Sequence, residues 1–112
     1  MKIKLKFSVD QIIAISKLLN QIYEINFNSL NTEEKLEISI GMELSDVFDR
    51  KKRNIQKKND LFNNDKKIAI TLKYHEAWGL KNIFINRIGL LDNEYQKLNI
   101  QTSINHIDRK TC

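Results

Sequence analysis

The chain has 112 residues, too few for two independent cores, and its 41% hydrophobic and 29% charged residues are typical of one folded domain. No apolar run reaches the roughly 18–20 residues that a membrane span needs, and no signal-peptide core follows the first lysines. The net charge of +5 at pH 7 favours anionic partners, while the one cysteine, Cys112, excludes a disulfide framework and is expected of a soluble cytoplasmic protein.

The first strand and helix are predicted from alternation and capping. Residues 2–7 alternate between lysine and apolar side chains, which indicates a strand with one buried face. A helix over residues 9–25 should follow, because Ser8 and Gln11 have the spacing of a capping box and Phe7 and Ile12 that of a hydrophobic staple. The sequence therefore opens with a strand that leads directly into an amphipathic helix.

A second helix is predicted after a loop at residues 28–31. Asn31 and Glu34 repeat the capping-box spacing, and the helix should continue to about residue 58. Gly41 interrupts it, and residues 36–40 alternate well enough that a short strand there stays open. Residues 63–65 indicate a turn. The predicted apolar stripe of this helix consists of Leu36, Ile40, Leu44, Val47, Phe48 and Ile55.

The second half repeats this order. Residues 68–74 predict a strand and residues 75–88 a third helix, with Trp78 in the core and Gly89 as a left-handed C-terminal cap. Asp92 is then expected to cap a fourth helix over residues 93–110, whose apolar stripe includes Tyr95 and Leu98.

Two strand-helix-helix units therefore make up the chain. The predicted fold class is α+β and predominantly helical, with four helices and a small two-stranded antiparallel sheet on which the helices pack. Residues 1–112 form a single domain, with residues 1–60 as the first unit and 66–112 as the second. Placing residues 12–15 over 77–80 also pairs 18–19 with 83–84. This match indicates an internal duplication, or two similar units that arose by chance.

No catalytic constellation is complete in the sequence. His75-Glu76 begins like a zinc-protease motif, but Gly79 stands where its second histidine is needed, and His106 lies far along the chain. Glycine-rich phosphate loops and paired carboxylates are lacking as well. The prediction is a non-enzyme with no catalytic residues, no metal ligands and no cofactor, although a nuclease using the two histidines stays open.

Charge is concentrated in one segment. Residues 28–49 carry a net charge of −5 and residues 50–58 one of +6. The pattern could be purely structural, because it complements the helix dipole and places Asp46–Arg50 and Asp49–Arg53 at ion-pair spacing. Six bases in nine residues also suit contact with phosphates. The candidate basic patch is Arg50, Lys51, Lys52, Arg53, Lys57 and Lys58, and a secondary binding row is Lys2, Lys4 and Lys6.

In size, in the lack of catalytic motifs and in its richness in isoleucine (17), lysine (15) and asparagine (13), the chain resembles small phage or mobile-element proteins of the anti-CRISPR type. The resemblance implies an inhibitor that binds a host-defence nuclease, or its nucleic-acid groove, in the bacterial cytoplasm. Its partner would be a host protein or ribonucleoprotein complex. No residue motif transfers from that class. The alternatives are a small DNA- or RNA-binding regulator that uses residues 50–58, and a phage structural component; a homodimer through the strand edge is also open.

Overall fold

The computed structural model describes residues 2–57 and 67–111. Within these ranges the chain forms a predominantly helical α+β fold, which confirms the predicted class. Lys58, the predicted turn at residues 63–65 and Cys112 lie outside the described residues. The elements are β1 (Lys2–Ser8), α1 (Val9–Gln21), α2 (Thr32–Lys57), β2 (Lys67–Lys73), α3 (Tyr74–Arg87) and α4 (Glu94–Thr111), with 3₁₀ turns at Ile22–Glu24, Phe27–Ser29 and Ile88–Leu90.

The two strands pair antiparallel, as predicted. The alternation of β1 buries Ile3, Leu5 and Phe7 and exposes the lysines between them. Leu5 pairs with Ile70 at the centre of the register. The helices pack on the apolar side alone, so the opposite side of the sheet remains exposed along both strands. The fold thus leaves one whole sheet face to the surroundings.

Both predicted capping boxes are present. The amide of Gln11 donates to Ser8 Oγ at 3.1 Å, and the amide of Ser8 donates to Gln11 Oε1 at 2.8 Å. At α2 the amide of Glu34 donates to Asn31 Oδ1 at 2.8 Å, and the reciprocal bond is 3.2 Å long. These bonds satisfy amides that the first helical turn leaves without partners, and they define where both helices begin.

Helix α2 is continuous, so the strand considered at residues 36–40 does not form. Gly41 lies in close packing, because a Cβ there would be 2.6 Å from Ile83 Cδ1 and 2.7 Å from Ile22 Cδ1. The predicted stripe was wrong at its first position: Leu36 is 54% exposed, and Ile38 is buried instead. The first turn of this long helix extends past the core, which removes the burial that the spacing predicts for Leu36.

Other predictions failed at the ends of α1, α3 and α4. Helix α1 ends at Gln21 and passes into a 3₁₀ turn, short of the predicted residue 25. Gly89 lies in the 3₁₀ turn after α3 and adopts no left-handed conformation. Asn93, not Asp92, caps α4, since its Oδ1 accepts the amide of Gln96 at 3.0 Å. A tight turn thus replaces the expected cap and shifts the next helix start by one residue.

The apolar stripe of α4 begins later than predicted. Tyr95 and Leu98 are 58% and 62% exposed, whereas Ile100, Ile104 and Ile107 are buried. Trp78 on α3 is partly buried and packs against the core. The core therefore lies between the sheet and the second half of α4, and the first turns of that helix extend beyond it.

The two halves have matching elements at a constant spacing. Lys2 and Lys67 begin the two strands, and Ser8 and Lys73 end them, each pair 65 residues apart. The register also respects this offset, because Leu5 pairs with Ile70, its own counterpart. The arrangement has the order of a twofold repeat centred on this pair. Common ancestry of the halves stays a prediction.

Candidate functional site

The histidines are not brought together for metal or acid–base chemistry. No group of three or more metal-ligating side chains occurs within residues 2–57 and 67–111. His75 is exposed at the start of α3. His106 on α4 lies edge-on to the Phe7 ring, with 5.7 Å between ring centroids, and its Nε2 accepts the Lys6 amide at 3.3 Å. His106 thus satisfies a β1 amide that faces away from β2.

The exposed side of the sheet carries a concentrated positive charge. Alternation places Lys2, Lys4 and Lys6 of β1 on this side, and the pairing register places Lys67 and Lys73 of β2 beside them. Ala69 and Thr71 occupy the positions between the β2 lysines, and no acidic residue lies on this side of either strand. We call these five lysines, together with Ala69 and Thr71, the lysine face.

Only half of the lysine face was identified in the sequence. Lys2, Lys4 and Lys6 were predicted as a secondary row, whereas Lys67 and Lys73 were not assigned to any surface. The available signal was the alternation of residues 67, 69, 71 and 73 opposite buried positions. That signal becomes useful only once the two strands are known to pair in this register, because one residue of slip would reverse the sides.

The register sets like charges against each other. Lys2 lies directly opposite Lys73, and the Lys6 amide that points to His106 shows that the lysine positions of β1 form the non-hydrogen-bonded pairs, whose side chains are closer. Like charges directly opposite on a sheet are destabilising. None of the five lysines has a carboxylate within ion-pair distance in the described part of the chain. The folded protein therefore maintains an uncompensated positive surface here.

The basic patch predicted on α2 lies at the C-terminal end of that helix. Arg50, Arg53 and Lys57 are exposed, while Lys51 and Lys52 are partly buried. We call these five described residues the basic helix end; Lys58, the sixth predicted member, lies outside the described residues.

The ion pairs predicted within α2 were wrong. Neither Asp46–Arg50 nor Asp49–Arg53 is among the ion pairs of the described residues. Asp49 instead accepts hydrogen bonds from the Ser16 hydroxyl and, at 2.9 Å, from Asn20 Nδ2. Its carboxylate is thus used to join α2 to α1, and the helix-pair explanation of the charge pattern loses its support.

The basic helix end and the lysine face are separate surfaces. No hydrogen bond, ion pair or pocket among residues 2–57 and 67–111 joins the two groups. The concave sites next to these surfaces lie at the two ends of the sheet. One, of about 430 Å³, is lined by Lys2, Lys73, Tyr74 and His75, and the other, of about 290 Å³, by Lys6, Gln11, Lys67, Thr102, His106 and Arg109.

The lysine face thus continues into a cleft at each end, and clefts of one sign of charge concentrate the field toward counter-ions. In the part of the chain that the structure describes, no helix is long and apolar enough to cross a membrane. No family model, no curated protein and no solved structure matches this chain. Function must therefore be argued from these surfaces.

Proposed function

We propose that this chain is a non-catalytic protein that binds double-stranded DNA through the lysine face. The observation that carries the proposal is an open sheet face with five lysines, no acidic residue and no covering element. Neutralising phosphates with lysine releases condensed counter-ions, which is the main source of affinity in sequence-independent DNA binding. A surface that keeps like charges together at a cost in stability gains a physical reason when a polyanion covers it.

The shape of the surface favours a duplex. The major groove of B-DNA is about 12 Å wide and admits a two-stranded antiparallel ribbon. The described sheet has only two strands, and seven residue pairs at about 3.3 Å per residue make it roughly 20 Å long. Its lysines can reach phosphates and guanine edges, while Ala69 and Thr71 are residue types that contact the thymine methyl group.

The proposed mode departs from the predicted one. The regulator hypothesis places binding on residues 50–58, and the geometry favours the sheet instead. The basic helix end is one convex helical segment without a neighbouring pocket among the described residues, whereas the lysine face is a ribbon with a cleft at each end. Arg50, Arg53 and Lys57 are nonetheless exposed and form the natural comparison surface.

Two charge-reversal variants of equal net charge test the proposal. One replaces Lys2, Lys4 and Lys6 with glutamate, and the matched control replaces Arg50, Arg53 and Lys57 with glutamate. Binding to a labelled mixed-sequence duplex is followed by fluorescence anisotropy at fixed salt. We expect the sheet variant to lose most of the affinity and the helix variant to lose far less. Equal losses, or a larger loss in the helix variant, would overturn the sheet assignment.

The inhibitor hypothesis stays the second candidate, and the charge restricts its form. A nucleic-acid groove in a nuclease is itself positively charged, so a surface of five lysines would be repelled by it. Such an inhibitor would have to contact an acidic surface of the nuclease or the nucleic acid that the nuclease holds. Absence of duplex binding at low salt, combined with capture of a purified nuclease that depends on the lysine face, would favour this candidate. A structural role predicts a stable homo-oligomer, and a monomer in light scattering at high concentration would exclude it.

A further inference from the structure

The cleft at one end of the lysine face is enclosed by three parts of the fold. Lys6 comes from β1, Lys67 from β2, Gln11 from the first turn of α1, and His106 and Arg109 from α4. Thr102 completes the lining, and the volume is about 290 Å³. We call this cleft the donor pocket. Its size is sufficient for a phosphate group with some of its water.

Hydrogen bonding determines which end of Gln11 is available. Gln11 is 6% exposed, and its Oε1 accepts the Ser8 amide at 2.8 Å. Its Nε2 has no hydrogen-bond partner among the described residues, so the NH₂ group is the end left for a ligand. The Thr102 hydroxyl donates to the Leu98 carbonyl at 2.9 Å. The buried side chain at the base of the pocket thus presents donors only.

His106 is also held as a donor. Because its Nε2 accepts the Lys6 amide, the neutral ring carries its proton on Nδ1. Burial lowers the pKa of His106, and the charges of Arg109, Lys110 and Lys67 lower it further. No carboxylate lines the pocket. The nearest acids along α1 and α4, Asp10 and Asp108, are bonded to Tyr95 and Lys81.

We propose that the donor pocket is a binding site for one phosphate group. Two lysines, one arginine, a neutral histidine N–H and a buried amide NH₂ form a donor set that suits a phosphate oxyanion and offers nothing to a cation. The proposal rests on the proposed function in one respect, because the phosphate is assigned to the backbone of a duplex lying on the lysine face. The pocket would then anchor one end of the sheet on the DNA.

The other half of the fold lacks the equivalent site. Glu76 occupies the position in α3 that Gln11 occupies in α1, 65 residues earlier, and it accepts the Lys73 amide at 2.7 Å. A carboxylate there contributes negative charge where Gln11 contributes a neutral donor. The near-twofold arrangement is therefore broken in the chemistry of its two ends, and only the Gln11 end presents a buried amide donor to a phosphate.

Gln11→Glu is a test that spares the fold. Glutamate is a favoured residue at this capping-box position and suits the positive end of the helix dipole, so the cap and the stability of α1 should be retained. The substitution replaces a donor with a negative acceptor inside the pocket. The matched control is Glu76→Gln, which makes the opposite change at the other end of the sheet.

The probe is inorganic phosphate, with dimethyl phosphate as a diester, titrated at constant ionic strength. Binding is followed by NMR signals of the Gln11 side-chain amide and the His106 ring. We expect saturable shifts in the wild type and in Glu76→Gln, and an affinity reduced by about tenfold or more in Gln11→Glu. No saturable shift with either probe, or equal affinity in wild type and Gln11→Glu, would overturn the pocket.

The duplex distinguishes the two sources of phosphate. A backbone phosphate requires binding of the diester and a weaker duplex affinity in Gln11→Glu at fixed salt. Loss of inorganic phosphate binding with unchanged duplex affinity would overturn the backbone assignment and leave a site for free phosphate. If the duplex does not bind at all while phosphate still shifts Gln11 and His106, the proposed function fails and the pocket stands.

Discussion

The packing of α3 on α2 can be tested by a substitution whose sign depends on its neighbour. A Cβ added at Gly79 would lie 2.8, 2.9 and 3.1 Å from Cδ1, Cγ2 and Cβ of Ile40. Isoleucine is β-branched and stiff at χ1, and two of these atoms cannot move without the backbone of α2. Overpacking of this kind costs about 1–3 kcal/mol, and alanine recovers about 1 kcal/mol over glycine in a helix. Gly79→Ala should therefore lower the free energy of unfolding by up to about 2 kcal/mol.

The same substitution should stabilise a protein in which Ile40 has been shortened. Ile40→Ala alone should cost about 2–5 kcal/mol through lost burial and the cavity that remains. In that background the Gly79→Ala methyl group meets no branched neighbour, partly fills the cavity and keeps the gain of about 1 kcal/mol in helix propensity. The coupling energy between the two sites is expected to be about 1–3 kcal/mol.

Urea unfolding followed by far-ultraviolet circular dichroism measures all four members of this cycle. Gly89→Ala is the matched control, because nothing lies within 4 Å of a Cβ at that position, and its effect should be within about 0.5 kcal/mol. If Gly79→Ala changes stability by the same amount and sign in both backgrounds, then Gly79 and Ile40 are not in contact. That result would refute the described packing of α3 on α2.

Three further predictions concern charge. Lys2→Glu turns the repulsion with Lys73 into attraction and should raise the free energy of unfolding by about 0.2–1 kcal/mol in thermal unfolding at low salt, toward the lower end because both side chains are solvated. Glu37→Gln should stabilise the protein at neutral pH in urea unfolding. Burial raises the pKa of Glu37 above 4.5, so the ionised form is costly when folded, while glutamine can still accept from Asn86. Burial lowers the pKa of His106, so this residue should make urea-measured stability fall as pH drops below 6.5.

Each of these has a result that would contradict it. The gain from Lys2→Glu should diminish at high salt and be about halved in Lys2→Gln, and a gain independent of salt would exclude the electrostatic explanation. The gain from Glu37→Gln should vanish below pH 4.5, where the carboxyl is protonated in both states. For His106, the neutral ring is favoured in the folded state, so His106→Gln should remove part of the loss at low pH. An unchanged pH profile would show that another group is responsible.

Local signals accounted for most of the fold. Capping boxes at Ser8 and Asn31 are contacts within three residues, and the alternation of β1 reports directly which side is buried, so these features could be predicted accurately. Gly89 and Asp92 were misassigned because a 3₁₀ turn ends α3 without a left-handed residue. Nothing in the local sequence distinguishes that ending from a glycine cap.

The candidate site was only partly predictable, since it depends on contacts between distant residues. Lys67 joins Lys6 through strand pairing, and Gln11 meets His106 through the packing of α4, and neither relation leaves a pattern along the chain. The basic segment at residues 50–58 drew attention because its charge is contiguous. Charge that is spread over two strands is equally concentrated in space but looks ordinary in sequence.

The salt dependence of duplex binding tests the lysine face most directly. The slope of log K against log salt is about −0.9 for each phosphate that is neutralised, so five lysine contacts predict a slope of about −4.5 between roughly 50 and 200 mM salt. Replacing Lys2, Lys4 and Lys6 with glutamate should reduce its magnitude by about 2.7 or more. Replacing Arg50, Arg53 and Lys57 should leave it nearly unchanged. A slope that falls in the second variant and persists in the first would contradict the assignment of DNA binding to the sheet.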